Sequence, residues 1–159
     1  MTDPQAAVDL KPDLTDDVAL VTGATRGIGA KIAAGLADLG ATVYAGARDP
    51  DDVTASDQHA VRLDVTDDDE IRAAMDRSER ERSGLDVLVN NAGVFPRSGP
   101  LDGMDMEAFD RTMAVNLRGP VAVTRGALPL LLGAAGSRVV TLSSGLGQFT
   151  AGEMGGRYP

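Results

Sequence analysis

A glycine-rich segment near the N-terminus has the residue types and spacing of a phosphate-binding loop. The segment TGATRGIG covers residues 22–29 and places glycines at 23, 27 and 29. Gly23 permits a sharp turn off a strand, while Gly27 and Gly29 let the N-terminus of a helix approach a ligand closely. The free N–H groups and the positive end of the helix dipole then favour a pyrophosphate. The alternative interpretation is a strand-to-helix turn that binds nothing.

Two arginines near this loop indicate which dinucleotide it would prefer. An acid at the end of the second strand would accept hydrogen bonds from the ribose 2′-OH of NAD. Ala47 stands at that point instead, and Arg48 follows it, while Arg26 lies inside the glycine loop. Two guanidinium groups can bind a 2′-phosphate through bidentate, charge-assisted bonds. The sequence therefore favours NADP (NADPH), with NAD as the alternative, and Asp49 could instead simply pair with Arg48.

The segments around these residues alternate between short apolar runs and amphipathic helices. We expect strands at 18–24, 41–48, 59–65, 85–93 and 137–144, and helices at 27–40, 66–84 and 106–133. The first helix should bury one face and stop at Gly40; that face carries Ile28, Ile32, Leu36 and Leu39. Thr66 is the expected N-cap of the second helix. Pro120 and Pro129 are expected to bend the third.

This alternation indicates βαβ units, whose right-handed connections produce a parallel sheet covered on both faces. The strands are apolar almost throughout, as a sheet buried on both sides requires. The predicted fold is therefore α/β, a Rossmann-type doubly wound parallel sheet with about five strands, incomplete at its C-terminus. The dinucleotide-binding domain should span residues 16–159 after a polar tail at 1–15. Ligands in such folds bind beyond the carboxyl ends of the strands.

Composition excludes several classes of site and protein. Apolar residues make up 43% of the chain, which indicates a folded domain rather than disorder. There is no cysteine and His59 is the one histidine, so we expect no disulfide and assign no metal site. No apolar run approaches the roughly 20 residues of a membrane span, and the acidic N-terminus lacks the features of a signal peptide. A cytoplasmic protein without a membrane partner is expected.

The charge is strongly negative. The net charge is −9, and nineteen aspartates stand against two lysines, Lys11 and Lys31. This balance argues against non-specific binding of nucleic acid. It fits either an ordinary solvated acidic surface or adaptation to high salt, where a Debye length of about 3 Å at 1 M screens the repulsion within a dense acidic shell.

Four motifs together resemble one known family. The glycine loop, NNAG at 90–93, VNLRGP at 115–120 and VVTLSSGLG at 139–147 occur in the order and spacing of the short-chain dehydrogenase/reductase family. The resemblance covers about residues 16–159. It implies an oxidoreductase that transfers hydride between a nicotinamide cofactor and a small carbonyl or alcohol substrate, similar to NADP-preferring carbonyl reductases.

The resemblance also implies which residues contact the cofactor. Asp64 and Val65 would contact the adenine, although Asp64 could instead cap the next helix. The residues Asn91, Ala92 and Gly93 would lie along the adenosine ribose, or simply form a structural turn. The complete set of expected cofactor-binding residues is Gly23, Thr25, Arg26, Gly27, Ile28, Gly29, Arg48, Asp64, Val65, Asn91, Ala92 and Gly93.

The catalytic side chains implied by the resemblance are only partly present. Ser144 matches the serine that polarises the carbonyl, because it stands three residues before Gly147, a spacing that disfavours Ser143. Asn116 matches the asparagine that holds a water in the proton relay. The family's tyrosine followed four residues later by lysine has no match, because no lysine lies beyond Lys31. The tyrosine would be Tyr158 or a residue beyond 159.

We therefore expect this chain to be the cofactor-binding part of such an enzyme, cut before the tyrosine–lysine helix and inactive by itself. The alternatives are a non-catalytic nucleotide-binding module and an inactive fragment. Relatives usually dimerise through the helix that holds Asn116 and the next helix, so the full-length parent would be a homodimer.

Overall fold

The computed structural model describes residues 12–95 and 101–144, which form a five-stranded parallel sheet with helices on both faces. The strands are β1 (Val18–Thr22), β2 (Thr42–Ala47), β3 (His59–Arg62), β4 (Val87–Asn90) and β5 (Arg138–Thr141). Their order across the sheet is β3-β2-β1-β4-β5. The chain therefore reverses its direction of travel across the sheet after β3, and the topological switch point lies between β1 and β4. This confirms the predicted Rossmann-type fold.

The sheet is most deeply buried at its centre. Every residue of β1 and β4 is buried, and the two strands pair in parallel with Leu20 opposite Leu88. By contrast, Val139 and Val140 of β5 are about half exposed. Among the described strands β5 pairs with β4 alone, so it forms an edge.

The helices are α1 (Gly27–Asp38), α2 (Asp68–Arg82), α3 (Met106–Met113) and α4 (Gly119–Gly133). Short 3₁₀ turns occupy Pro50–Asp52 and Leu101–Gly103. A π-helical turn, Ala114–Arg118, joins α3 to α4. The helical stretch expected at 106–133 is thus present in full, and its irregular turn lies immediately before Pro120. Pro129 lies inside α4.

Two apolar layers form the core. On one face of the sheet, Leu20, Tyr44 and Leu88 pack against α2 and α4. On the other face, Val21 and Val43 pack against α1. Since each strand contributes alternate side chains to opposite faces, both faces need apolar residues, which explains the nearly continuous apolar strands.

Two local predictions about the helices are wrong. Thr66 does not cap α2; the carboxylate of Asp67 does, accepting hydrogen bonds from the N–H groups of Asp69 and Glu70 at 2.9 and 3.0 Å. Thr66 instead bonds back to Asp64 and forms the turn before the helix. Ile28 is not part of the buried face of α1, since it is 65% exposed. The first turn of α1 lies beyond the end of the sheet, so nothing in the core covers this side chain.

Part of the expected polar tail is docked onto the domain. Residues 12–15 are described, and the N–H of Leu14 donates to the carbonyl of Leu39 at 2.9 Å while its side chain packs against the α1 layer. Residues 1–11 lie outside the described residues. In the described ranges, no helix combines the length and hydrophobicity that crossing a bilayer requires.

Candidate functional site

A cleft of about 720 Å³ opens beyond the carboxyl ends of the first four strands. All of the cofactor-binding residues expected from the sequence line it: Gly23, Thr25, Arg26, Gly27, Ile28, Gly29, Arg48, Asp64, Val65, Asn91, Ala92 and Gly93. Asn116 and Ser144 do not. The cleft lies at the switch point between β1 and β4, where this fold binds ligands.

The glycine loop has the backbone geometry of a close-approach site. Gly23 and Gly27 have φ values of 67° and 61°, which residues other than glycine rarely adopt. A Cβ on Gly29 would collide with the side-chain nitrogen of Asn91 and the carbonyl oxygen of Gly23. A Cβ on Gly27 would meet nothing within 4 Å. Gly29 is therefore required for packing inside the loop, and Gly27 faces open space in the cleft.

The N-terminus of α1 is free to bind an anion. Its N-cap residue, Arg26, makes no side-chain capping bond, and the first turn contains no acidic residue. At α2, by contrast, Asp67 caps the first turn and three more acids follow it. The first N–H groups of a helix need acceptors. At α2 the side chain of Asp67 supplies an acceptor. At α1 no side chain caps the helix, so its first N–H groups can bind a phosphate, and this end of the cleft fits a dinucleotide.

Thr22 joins the glycine loop to the end of β4. Its buried hydroxyl accepts hydrogen bonds from the N–H groups of Asn91 and Ala92, both at 3.0 Å. The side-chain nitrogen of Asn91 donates to the carbonyls of Thr22 at 2.8 Å and Gly23 at 3.0 Å. The amide donor of Asn91 thus shapes the wall of the cleft. The sequence pointed to Asn91 but gave Thr22 only as a flank of the loop.

The loop after β3 holds an ionised carboxylate at the cleft. One oxygen of Asp64 accepts hydrogen bonds from the N–H and the hydroxyl of Thr66, at 2.9 and 2.7 Å. Partial burial raises the pKa of Asp64. The hydrogen bonds from Thr66 and the positive charges of Arg48 and Arg111 lower that pKa by more, so it lies below its ordinary value. The alternative role for Asp64, capping the next helix, is wrong, because the N-cap of α2 is Asp67.

Arginines line the cleft without ion pairs to other described residues. Arg26 and Arg48 were expected there, and Arg111 on α3 joins them. Asp49 does not bond to Arg48; its carboxylate accepts from the N–H of Asp51 at 3.2 Å and caps the 3₁₀ turn. Arg111 was not predicted from the sequence; it lies one helical turn before Val115, which also lines the cleft.

Asn116 lies in the π-helical turn and is fixed by the loop after β4. Its side-chain oxygen accepts from the N–H of Val94 and its side-chain nitrogen donates to the carbonyl of Val94, both at 2.8 Å. The next turn contains Pro120, which has no N–H, so the usual helical hydrogen bond to the carbonyl of Asn116 cannot form. The side chain positions the loop, and Pro120 offers the main-chain carbonyl of Asn116 no hydrogen bond.

Ser144 follows β5 on the same edge of the sheet as Asn91. The N–H of Leu142 donates to the carbonyl of Asn90 at 2.9 Å, so the end of β5 continues alongside the end of β4. Ser144 is exposed. Gly147 and Tyr158 lie outside the described residues.

In the two described ranges, no three acidic or histidine side chains converge as metal ligands would.

Comparison with known proteins agrees with this geometry. Residues 17–158 match the family described as short chain dehydrogenase. Cis-4-hydroxycyclohexanecarboxylate dehydrogenase from Sinomonas cyclohexanicum is 41% identical over 138 residues, which cover 82% of this chain and 55% of that protein. Galactitol 2-dehydrogenase from Agrobacterium fabrum is 34% identical over 142 residues, covering 85% and 55%. The chain spans about half the length of the curated relatives it matches.

The fold is shared with a solved structure of the same kind. The ligand-free aldohexose dehydrogenase of Thermoplasma acidophilum aligns with a TM-score of 0.76 and 34% sequence identity, over 82% of this chain and 50% of that one. The family match includes the glycine loop, the segments after β3 and β4 that line the cleft, and the π-helical turn that contains Asn116. This chain belongs to the short-chain dehydrogenase family.

Proposed function

We propose that the protein carrying this chain is an NADP-dependent oxidoreductase that transfers hydride between the nicotinamide and a small carbonyl or alcohol substrate. The observation that carries the proposal is the cleft: an uncapped helix N-terminus, a loop that only glycine can form and two predicted arginines surround one space. When bound, the cofactor would supply the hydride from C4 of its nicotinamide.

Different residues of the cleft bind different parts of the cofactor. Gly23, Gly27 and Gly29 bring the N-terminus of α1 against the pyrophosphate. Asp64 accepts a hydrogen bond from the adenine while Val65 packs against its ring. Arg26 and Arg48 bind the 2′-phosphate, which is why we propose NADP ahead of NAD.

Ser144 and Asn116 are the proposed catalytic residues of this chain. The hydroxyl of Ser144 would donate a hydrogen bond to the substrate oxygen. Because both polar side-chain atoms of Asn116 bond to Val94, its main-chain carbonyl is the group that would hold a relay water. A tyrosine followed four residues later by lysine is not among these 159 residues, since lysine occurs only at 11 and 31. An unperturbed tyrosine has a pKa near 10 and is a poor acid–base catalyst at pH 7.

Hydride transfer is tested with the intact protein and a panel of small carbonyl compounds. NADPH oxidation is expected, and Ser144→Ala should reduce its rate by about 10²- to 10⁴-fold. Residues 1–159 expressed alone should show no measurable turnover. If the intact protein binds dinucleotide but reduces no carbonyl and oxidises no alcohol, the chain serves instead as a non-catalytic nucleotide-binding module. If it binds no dinucleotide, both functions fail.

Cofactor choice is tested by binding. NADPH should bind more tightly than NADH, and Arg48→Ala should remove most of the difference. A charge-assisted contact contributes about 1.5–3 kcal/mol, or roughly 10- to 150-fold in affinity. Equal titration curves of the unmodified protein for the two cofactors would contradict the preference for NADP.

We also propose that the full-length protein forms a homodimer through α4. The buried residues of this helix, Val123, Ala127 and Leu131, face the sheet. Its other side carries exposed Val121, Leu128 and Leu132, and exposed Leu117 in the π-helical turn precedes them. Light scattering of the intact protein should show a dimer, and Leu132→Asp should weaken it.

A further inference from the structure

Arg111 is a cation of the cleft that neither the glycine loop nor the strand ends supply. It lies in α3, outside every motif on which the proposed cofactor site rests, yet it lines the same cleft as Arg26 and Arg48. We infer that Arg111 is a specificity-determining residue that binds the 2′-phosphate of the cofactor. This inference rests on the proposed preference for NADP and adds a third cation to that site.

The position of Arg111 follows from its helix. Val115, one helical turn later on the same face, also lines the cleft and is half-buried, whereas Arg111 is exposed. Arg111 and Arg26 also line a second hollow of about 600 Å³ that adjoins the cleft and shares Gly93 and Val94 with it. Arg26 and Arg111 therefore line both the hollow and the cleft.

Arg111 and Arg48 line the same cleft and share Asp64 as an electrostatic neighbour. Both arginines lower the pKa of the same carboxylate, Asp64. Because such an effect falls off with distance, both cations must lie near the end of β3. Arg48 lies at the end of β2, the neighbouring strand, and Arg111 approaches from the helix on the other side of the cleft. The three arginines line the cleft from three different segments: the glycine loop, the end of β2 and α3.

The cleft arginines are also free to bind a ligand. Elsewhere in the described ranges, arginines at 62, 72, 77, 118 and 138 make ion pairs with acids, and those at 80, 82 and 125 make none. Arg26, Arg48 and Arg111 make none with another described residue, although the chain has 24 acids against 15 bases. The nearby carboxylates of Asp49 and Asp64 are bonded to the turns that contain them. Three like charges facing one space repel each other, and a phosphate between them relieves that repulsion.

The test uses the intact protein and two nucleotides that differ by one phosphate, adenosine 2′,5′-bisphosphate and adenosine 5′-monophosphate. Calorimetric titration of Arg111→Gln should weaken binding of the bisphosphate by about 10-fold or more and that of the monophosphate by less than about 3-fold. Arg111→Lys, which keeps the charge, should restore part of the loss. The matched control is Arg125→Gln, which removes an exposed arginine on α4 outside the cleft and should change neither affinity.

The results separate this inference from the preference for NADP. If the unmodified protein binds both nucleotides equally, the preference itself is wrong and Arg111 has no 2′-phosphate to bind. If Arg48→Gln removes the discrimination but Arg111→Gln leaves it intact, the inference about Arg111 alone is overturned. Equal losses for both nucleotides in Arg111→Gln also overturn it, because they assign the side chain to the part that the two ligands share. Thermal melts of each variant identify any loss that comes from misfolding.

Discussion

Asn91 donates two hydrogen bonds to Thr22 across the switch point of the sheet. The N–H of Asn91 donates to the hydroxyl of Thr22 at 3.0 Å, and the side chain of Asn91 donates to the carbonyl of Thr22 at 2.8 Å. Thr22 ends β1 and Asn91 follows β4, so these bonds keep two strand ends together where the cleft begins. The glycine loop is thereby attached to a rigid part of the sheet.

Replacing Thr22 by valine tests this attachment. Valine has nearly the same shape, but it leaves the partly buried N–H groups of Asn91 and Ala92 without their acceptor. An unsatisfied buried donor costs about 1–3 kcal/mol, so the free energy of unfolding in urea should fall by that amount. Thr112→Val, which removes one bond to the carbonyl of Ala108 within a helix, is the control and should change stability by less. Equal losses in the two variants would mean that the Thr22 bonds stabilise the fold no more than the single helical bond of Thr112.

A methyl group at Gly29 should disrupt the loop. The added Cβ would overlap the side-chain nitrogen of Asn91 and the carbonyl of Gly23. Overpacking of this kind costs roughly 1–3 kcal/mol, and the displaced loop should weaken dinucleotide binding as well. Gly35→Ala, in the middle of α1 with nothing within 4 Å of its Cβ, is the matched control. It should leave binding unchanged and stabilise the helix by about 0.5–1 kcal/mol. Unchanged binding in Gly29→Ala would contradict the proposed loop geometry.

Tyr44 should make stability depend on pH at the alkaline end. Burial raises the pKa of Tyr44, and its 2.9 Å hydrogen bond to Glu81 raises it further. The unfolded chain therefore releases this proton first. The resulting contribution to the free energy of unfolding is complete below pH 10 and is lost as the pH rises through the higher pKa of the folded state.

The variant Tyr44→Phe removes this titration. At pH 7 it should lose about 0.5–1.5 kcal/mol with the hydrogen bond. Between about pH 9 and 11, urea unfolding should show a shallower fall in stability than that of the unmodified chain. Parallel curves for the two proteins over that range would rule out the pKa shift as a source of stability.

Salt should stabilise the chain. Nineteen aspartates stand against two lysines, and four consecutive acids occupy Asp67–Glu70 at the start of α2. Raising KCl from about 0.1 M to above 1 M shortens the Debye length from about 10 Å to 3 Å and screens their repulsion. Thermal melts should therefore move to higher temperature up to at least 2 M KCl. Melting temperatures that stay flat or decline would remove the hypothesis of adaptation to high salt.

The sequence predicted the cleft well because its determinants are local. Glycines at fixed spacing, the residue after β2 and the residues after β3 and β4 all follow from strand ends, and parallel strand ends meet at one edge. The alternation of apolar runs likewise determined the fold. No long-range information was needed for Arg48 or Asp64 once the strands had been recognised.

The missed features depend on competition between neighbouring groups. Both Thr66 and Asp67 are good N-caps, and the choice between them depends on Asp64, whose carboxylate engages Thr66. The π-helical turn contains Asn116, whose side chain bonds to Val94, 22 positions earlier. Arg111 reaches the cleft only because of how α3 packs. Such choices involve contacts between distant segments, which spacing along the chain does not encode.

The position of β1 at the centre of the sheet also affects how the chain folds. One side of β1 pairs with β2, about 24 residues later, but the other pairs with β4, so that Leu20 lies opposite Leu88. During synthesis, the second edge of β1 must wait until β4 has been made. Closing so long a loop costs entropy before the contact returns any free energy, and parallel pairing of this kind folds slowly. Substitutions at the β1–β4 pairing should therefore affect the rate of folding, whereas the β1–α1–β2 unit can form earlier from contacts within the first 47 residues.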